Sequence, residues 1–385
     1  MAWNDIIGQE RVKSILQKSV IEGRVSHAYL FWGIEGIGKE ALAIEFAKTV
    51  NCLGPVISGD RIDACGKCEA CMKAEDFRHP NIKLVFSIPT GKSQDSKSDN
   101  PIGGLADDQI AKIQEQIGLK SKDYYHKIEI PKANHILVSQ IREIKRNLTL
   151  GAAQQGRRVV IVLRAEEMNK ESANAFLKTL EEPHDGVTII IVTSRVELLM
   201  QTIVSRCQQV YCEPLPDSHI SAALIGRKGL SETNARIAAS FAQGSFTSAL
   251  EYLNEDMSQL RESVINTFRS SLKKKIFRLE LIDNLEKLSV LTDKRIAGYF
   301  IRILIIWLRD AYTLIYTGDK DKLINSDQTE IITRFTQKFE GRNIKTAIEL
   351  LDNSVTQIHK NVQLSLIFIS LFVSIRNILF GNNKY

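Results

Sequence analysis

The chain has 385 residues, more than one hydrophobic core usually supports, so two or three domains are expected. Hydrophobic residues make up 44% and charged residues 25%, as in ordinary globular proteins, and the net charge of +6 permits contact with nucleic acid without requiring it. The sequence starts without a signal-peptide pattern, and its most apolar late stretch, 364–375, is too short to span a bilayer. We therefore expect a cytoplasmic protein that does not act at a membrane.

The first element in chain order is a short apolar strand, AYLFW, which runs into a glycine-rich loop. Gly33, Gly36, Gly38 and Lys39 match the phosphate-binding loop pattern, in which backbone N–H groups and a lysine surround the phosphates of a nucleotide. The next position departs from the pattern, because Glu40 stands where Ser or Thr would offer a hydroxyl to Mg²⁺. A relic loop without ATP or ADP is therefore favoured over a working nucleotide site.

A group of four cysteines follows: Cys52, Cys65, Cys68 and Cys71. Because cysteines in a cytosolic chain seldom form disulfides, this spacing favours a metal site. Four thiolates can complete a tetrahedral site on Zn²⁺ that has no open position, so the predicted role is structural. A redox-active pair and an iron–sulfur cluster are less favoured alternatives.

The next segment, 88–108, is polar and rich in Gly, Ser and Asp. Such a composition favours a flexible insertion, and the residues after it, 109–122, are compatible with a short helix. The predicted insertion therefore covers about 88–122. The sequence gives no function for it.

Runs of β-branched residues at 159–163 and 187–192 indicate two buried strands. Short buried strands that alternate with helical stretches predict a parallel α/β sheet. In an ATPase, an acidic pair at the end of the first of these strands would hold Mg²⁺ and polarise the attacking water. Glu166 and Glu167 are available near this position, but they lie past the strand end, where helix capping is the favoured role.

The chain changes character at the sequence EPLP, which ends at Pro216 and resembles a domain linker. All eight prolines lie at or before this residue, and the remainder is rich in Leu, Ile, Lys and Glu at helical spacing. We predict an α/β P-loop domain over 1–213, a small all-α domain over 214–256 and a larger all-α domain over 257–385.

Several stretches together resemble the AAA+ clamp-loader family, which includes bacterial gamma/tau and delta-prime subunits and replication factor C subunits. These stretches are DIIGQE from Asp5, HAYL from His27, the loop at 33–39, ANAFLKTLEEP from Ala173 and TIVSRCQ from Thr202. The resemblance implies an AAA+ domain with a zinc module at about 52–75. It also implies that 214–256 form a lid and that 257–385 form a collar, which assembles five subunits into a ring.

The resemblance also implies that this chain has lost its own ATPase chemistry. Leu163 and Arg164 stand where the family carries the metal-binding Asp and the catalytic Glu, and Ser248 replaces the arginine of the lid sensor. A first sensor would fall near Thr193 and Ser194. Motor subunits of the family keep these groups and delta-prime subunits often do not, so the chain resembles the delta-prime branch, a fixed stator within the loader.

Arg206 lies in the Ser-Arg-Cys motif, whose arginine reaches the ATP site of the neighbouring subunit in this family. A guanidinium is always charged and can bridge two phosphate oxygens, which suits it to stabilise phosphoryl transfer in trans. Capping a nearby helix, or pairing with Glu181 or Glu182, is the alternative role.

The resemblance further implies the partners and the process. The partners would be gamma/tau and delta subunits, the sliding clamp, and primed DNA contacted through its phosphates. The process would be the ATP-driven loading of the clamp during replication, within a DNA polymerase III holoenzyme.

Two rival functions belong to other classes. A divergent gamma/tau-type motor ATPase would need Glu40, Glu166 or Glu167 to replace the missing groups, and ATP binding by the isolated chain would favour it. A zinc-dependent DNA-binding regulator would need a recognition helix or a strongly basic face, and the sequence shows neither.

Overall fold

The structure is a computed structural model that describes residues 2–91, 101–149, 156–182, 185–254, 257–273, 277–358 and 362–381. The chain divides into two compact units. The first comprises Met1–His219 with Gly244–Thr247, and the second comprises Ile220–Gln243 with Ser248–Tyr385.

The strands lie in the first unit. They are β1 (Ala28–Trp32), β2 (Val56–Ser58), β3 (Arg61–Asp63), β4 (Ile82–Val85), β5 (Arg158–Val162), β6 (Val187–Thr193) and β7 (Gln208–Tyr211). Five of them form a parallel sheet in the order β4-β5-β6-β1-β7, and β2 and β3 form a separate antiparallel hairpin. The predicted α/β P-loop class of the AAA+ type is confirmed. The order brings the carboxyl ends of β1, β5 and β6 to one edge, where ligands of such sheets bind.

The helices of the first unit cover the sheet, which is why strands such as β6 are buried along their whole length. These helices are α1 (Glu10–Ile21), α2 (Lys39–Val50), α3 (Glu69–Glu75), α4 (Asp107–Lys122), α5 (Val138–Thr149), α6 (Lys170–Glu181) and α7 (Gln201–Val204). Short 3-10 turns lie at Trp3–Asp5, Ala165–Glu167 and Val196–Leu198. A core of Leu30, Val162, Ile191 and Phe176 joins the sheet to α6.

The predicted insertion at about 88–122 falls partly outside the described residues, at 92–100. Its second half is helix α4, which begins two residues before the helix expected at 109–122. One face of α4 buries Ile113, Gln116 and Lys120. The sequence did not predict this buried face, because two of its three buried side chains are polar. Both are held by hydrogen bonds.

The described residues after Pro216 form helices and turns and contain no strand, as predicted. The helices are α8 (Asp217–Lys228), α9 (Glu232–Ala242), α10 (Phe246–Asn254), α11 (Met257–Ser271), α12 (Phe277–Lys287), α13 (Lys294–Thr317), α14 (Thr329–Lys338), α15 (Ile344–Ile358) and α16 (Leu364–Phe380), with a 3-10 turn at Ser326–Gln328. The lid and collar boundaries near 213 and 256 stay predictions. Among the residues described, no helix combines the length and the apolar character needed to cross a membrane.

Helix α13 is the centre of the second unit. Its Trp307 is buried, with its ring 5.9 Å from that of Phe268 on α11 and 5.0 Å from that of Phe335 on α14. The indole N–H donates to Gln328 at 2.9 Å, so the polar end of the side chain is satisfied. One turn later, buried Asp310 accepts hydrogen bonds from the backbone and side chain of Asn325.

Candidate nucleotide site and metal centre

The phosphate loop connects β1 to α2 and depends on glycine at two positions. Gly36 and Gly38 have left-handed φ angles of 77° and 96°. A Cβ on Gly36 would overlap the hydroxyls of Ser245 and Thr247, and one on Gly38 would come within 2.8 Å of the Tyr125 hydroxyl. The loop is therefore tight, and neighbouring side chains approach it closely.

Lys39, the lysine of the loop, is buried at the N-terminus of α2. Its Nζ donates to the carbonyls of Gly33 at 2.8 Å and Ile34 at 2.5 Å, and to the Ser194 hydroxyl at 3.2 Å. Burial lowers the pKa of Lys39 below its ordinary value. Since an ammonium group has three donors, all of them are used by the chain itself. In this arrangement the lysine holds the loop together.

Glu40, at the position of the missing hydroxyl, forms an ion pair with Lys120 of α4. The Lys120 side chain is 1% exposed, and its Nζ also donates to the carbonyls of Tyr124 at 2.6 Å and His126 at 2.7 Å. No motif in the sequence marks Lys120 as part of the site. Glu40 and Lys120 are 80 residues apart in the sequence. The one hint in the sequence was an acidic residue, Glu40, at a position of the loop pattern that normally carries a hydroxyl.

The residues after β5 are those at which the sequence predicts that the hydrolytic groups of an ATPase have been replaced. Leu163 is buried, and Arg164 has a left-handed φ of 48°. The Arg164 guanidinium pairs with Glu167 at 3.3 Å and donates to the carbonyl of Ile128 at 2.9 Å. Glu167 also accepts a hydrogen bond from the Ser87 hydroxyl. Glu167 is therefore an anchor for Arg164, not a free carboxylate.

Glu166 is held by the residues predicted as the first sensor. It accepts hydrogen bonds from the Thr193 hydroxyl at 2.6 Å and from the Ser194 N–H at 3.2 Å. Ser194 in turn accepts from Lys39, so a chain of hydrogen bonds joins the end of β6 to the phosphate loop. The structure thus brings the predicted loop and sensor residues together.

These groups surround an open cavity of about 300 Å³. Its charged lining residues are the cations Lys39, Lys120, Lys127, Arg164 and Arg195 and the acids Glu35, Glu40, Glu166 and Glu167. Three of the four carboxylates form ion pairs with cations of the same lining: Lys127 with Glu35, Lys120 with Glu40, and Arg164 with Glu167. The site is therefore largely charge-compensated by its own side chains.

Arg206 follows α7 and is not among the described residues that line this cavity. Its guanidinium pairs with Glu181 at 2.8 Å and donates to the carbonyl of Thr202 at 2.9 Å. About a third of the Arg206 side chain and nearly half of the Glu181 side chain are exposed. The pairing that the sequence offered as an alternative is thus present, and it lies at the surface.

The four predicted metal ligands come together at the end of α2, the β2–β3 hairpin and the start of α3. All four sulfur atoms lie within 4.8 Å of one another, with Cys52 and Cys68, and also Cys65 and Cys71, 4.0 Å apart. Backbone N–H groups of Cys65, Cys68 and Cys71 each point at the sulfur of the preceding member of the set. The loop therefore presents four thiols to one point.

The geometry of this cluster fits a metal ion. A tetrahedral ion with metal–sulfur bonds of about 2.3 Å keeps its sulfurs about 3.8 Å apart, close to the observed separations and far from a disulfide bond. Hydrogen bonds from the N–H groups of Lys67 and Cys68 lower the pKa of the Cys65 thiol to about 6, whereas burial raises the pKa of the Cys52 and Cys71 thiols. Such donors stabilise the thiolate, the form that binds metal.

Comparison with known proteins identifies the family. The family model described as "DNA polymerase III, delta subunit" matches residues 8–216, more than half of the chain. The chain belongs to this family. The match covers the phosphate loop, the cysteine cluster and Arg206.

The curated proteins that the chain resembles include subunits of DNA polymerase III. The delta' subunit of Bacillus subtilis is 24% identical over 92% of this chain and 92% of its own length. The delta' subunit of Pseudomonas aeruginosa is 30% identical over 52% of this chain and 47% of its own. Among solved structures, a gamma subunit-related protein of Thermotoga maritima matches 96% of this chain and 99% of its own, with 19% identity and a TM-score of 0.36.

Proposed function

We propose that the chain is a delta-prime-type stator of a bacterial DNA polymerase III clamp loader and does not hydrolyse ATP itself. The observation that carries the proposal is the state of the two catalytic positions. Glu40, at the metal position, is paired with Lys120, and Arg164, at the hydrolytic position, is paired with Glu167. The near full-length similarity to a delta' subunit supports the same role.

In this proposal Arg206 acts in trans on the ATP site of a neighbouring motor subunit. Its ion pair with Glu181 is no obstacle, because a half-exposed pair contributes only about 0–1 kcal/mol. A phosphate group in the neighbouring site would offer Arg206 two oxygens and more charge than Glu181 does. The exchange of a carboxylate for a phosphate is therefore favourable once the subunits meet.

The relatives support a complex with other DNA polymerase III subunits, and the partners proposed here extend that support. They are gamma/tau and delta subunits in a five-subunit ring, the sliding clamp, and primed DNA contacted through its phosphates. The net charge of +6 is modest, so DNA contact would be weak for the isolated chain and would decrease as salt is added. A cytoplasmic location would follow from this role.

We also propose that the four cysteines bind Zn²⁺ as a structural ion. Four sulfur ligands with no open position favour zinc in a structural role over a catalytic metal. Cys52 would connect the end of α2 to the hairpin and α3 through the metal. The ion would therefore stabilise the loop module without taking part in phosphoryl transfer.

The assembled loader tests the proposed function. Clamp-stimulated ATPase activity is compared for the wild type, Arg206→Ala and Lys39→Ala, each built into the complete complex with motor and delta subunits. We expect Arg206→Ala to lower turnover at the neighbouring site by on the order of 10³-fold, the contribution of an arginine finger, and Lys39→Ala to have little effect. The turnover of the whole complex should then fall by the fraction of ATP hydrolysis that this one site contributes.

Two control variants make this result specific. Arg206→Lys keeps the charge but loses the two-pronged geometry, so its turnover should be intermediate. Glu181→Gln breaks the same ion pair while keeping the guanidinium. A loss of turnover in Glu181→Gln equal to that in Arg206→Ala would mean that the pair, not the arginine, matters. If Lys39→Ala lowers turnover while its thermal midpoint stays at the wild-type value, the chain is a motor ATPase of the gamma/tau type. The midpoint is measured because Lys39 also holds the loop together.

A further inference from the structure

The segment 120–127, which we call the strap, lies against the phosphate loop. It contacts the loop at three points: Lys120 pairs with Glu40, the Tyr125 hydroxyl lies next to Gly38, and Lys127 pairs with Glu35 at 2.8 Å. The Tyr125 hydroxyl also accepts a hydrogen bond from the N–H of Ile7 at 2.9 Å, which fixes the ring over the loop. The strap includes the end of α4, so it belongs to the predicted insertion and the turn that follows it.

Lys120 is the most constrained residue of the strap. Its side chain is 1% exposed, and its three donors are directed to one carboxylate and two carbonyls, so no donor is left for a ligand. A buried ammonium is tolerated only when it is paired and hydrogen-bonded. Glu40 supplies the negative charge. The Glu40–Lys120 pair is therefore a buried contact that joins α2 to α4, and Lys120 depends on it for charge neutralisation.

The Glu40–Lys120 pair lies at the position where a working phosphate loop binds Mg²⁺. In a working phosphate loop, the residue at position 40 carries a hydroxyl that binds Mg²⁺, and the ion brings positive charge to the phosphates. Here a carboxylate occupies that position, and the positive charge beside it comes from Lys120. An ammonium group in contact with Glu40 and a metal ion cannot occupy the same space.

We propose that Lys120 replaces Mg²⁺ beside Glu40, so that the strap closes the phosphate loop to magnesium-nucleotide. This inference extends the proposed function, since it states why a loop with intact glycines and Lys39 would not use ATP. It also gives the second half of the insertion a role, which is to deliver the replacing cation.

Glu40 and Lys120 differ in burial, and this difference predicts the order of stability of the two single variants and the double variant. Glu40 keeps a quarter of its side chain exposed, whereas Lys120 keeps almost none. Glu40→Ser strands a buried ammonium, so we expect its thermal midpoint to fall by roughly 6 °C or more. Lys120→Met leaves a carboxylate that water can reach, so it should cost less. Adding Lys120→Met to Glu40→Ser should raise the midpoint again.

Nucleotide binding is the second readout. A fluorescent ADP analogue is titrated into the full chain with excess MgCl₂ or with EDTA. The wild type and Glu40→Ser should show no magnesium-dependent binding, because Lys120 still occupies the metal position. Glu40→Ser/Lys120→Met restores the hydroxyl and removes the cation, so it should bind about tenfold or more tightly than the wild type, and EDTA should abolish the gain. Lys127→Met is the matched control, since Lys127 belongs to the strap but its pair with Glu35 is solvent-accessible.

The other outcomes overturn the inference. If Glu40→Ser alone binds magnesium-ADP as tightly as the double variant, Lys120 is no barrier. If the folded double variant does not bind, or the wild type binds in an EDTA-sensitive way, Lys120 does not close the site. If Glu40→Ser does not fold, Glu40→Ser/Lys120→Met still tests the inference. The inference requires that this double variant folds, because both charges of the pair have been removed. The ATPase assay of Arg206→Ala is independent of these results, so the two proposals can fail separately.

Discussion

At the scale of single residues, a buried acid–lysine pair inside α2 is expected to make the stability depend on pH. Glu45 and Lys48 are both buried, with Oε2 and Nζ 2.9 Å apart, and Lys48 also pairs with Glu75 of α3 at 3.3 Å. Burial raises the pKa of Glu45 from 4.5 to about 7, although the charge of Lys48 opposes the shift. Burial lowers the pKa of Lys48, but the two carboxylates outweigh it and the net shift is upward.

The shift of Glu45 predicts a loss of stability as the pH rises. Between about pH 4.5 and 7 the folded state holds a proton that the unfolded state has released, so the free energy of unfolding decreases by up to about 1.4 kcal/mol per pH unit. Glu45→Gln cannot ionise, so its stability relative to the wild type should increase over this range. Urea denaturation at a series of pH values measures the difference.

Glu75→Gln is the matched control for this prediction. Glu75 pairs with the same lysine, but more than a third of its side chain is exposed, and its pKa is lowered instead of raised. Its substitution should therefore not produce the same trend. A constant stability difference between Glu45→Gln and the wild type across pH 4.5–7 would show that Glu45 is ionised throughout.

At the scale of elements, the cysteine module is the part that depends most on a single ligand set. The β2–β3 hairpin has three residues in each strand, and β2 is exposed along its whole length, so apolar burial contributes little there. Cys68 caps the N-terminus of α3 by accepting the N–H of Cys71. The metal would therefore add to the burial of Ile62 on β3 and of Ala70 and Ala74 on α3 in holding these short elements together.

Substitution of Cys52 tests this dependence. Cys52→Ser should lose most of the bound zinc and lower the thermal midpoint, because one of four thiolates is replaced by a poorer ligand. Metal content by atomic spectroscopy and melting with and without a chelator are the measurements. Cys207→Ser is the control, since Cys207 packs against the sheet core and burial raises its pKa to about 12. A Cys52→Ser variant that keeps one zinc per chain would contradict the proposed ligand set.

At the scale of the whole molecule, the chain consists of two compact units, each with its own hydrophobic core. The first is built on the parallel sheet and carries the phosphate loop and the cysteine cluster. The second is built around α13, where Trp307 packs between aromatic rings of α11 and α14. Units with separate cores are expected to unfold as separate transitions.

A cavity in the second core should therefore affect one transition only. Trp307→Ala removes a buried ring and strands the Gln328 side chain, which should lower the stability of the second unit by about 3–5 kcal/mol. Calorimetry gives the transition temperatures, and a chromogenic chelator reports the temperature at which zinc leaves the first unit. We expect zinc release to stay at its wild-type temperature. A parallel fall of both temperatures would show that the units unfold together.

Motifs that consist of residues close in sequence could be read from the sequence alone. The glycines of the phosphate loop, the CxxCxxC spacing and the change from strands to helices after Pro216 are local patterns, and each reflects local geometry or ligand chemistry. The family assignment followed from several such patterns together, and the matching family model confirms it.

The tertiary structure shows which side chains from distant stretches of the chain pair with the residues of these motifs. The sequence shows that Glu40 is wrong for a metal-binding hydroxyl, but it does not show that Lys120 lies beside it. For Arg206 the sequence offers both Glu181 and Glu182 as partners, and the fold selects Glu181. The physical reason is that a charge can be paired by any opposite charge that the fold brings within a few ångströms, and that choice leaves no local periodicity in the sequence. Local patterns therefore determined the class of the protein and its candidate residues, and packing between distant segments determined the state of the site.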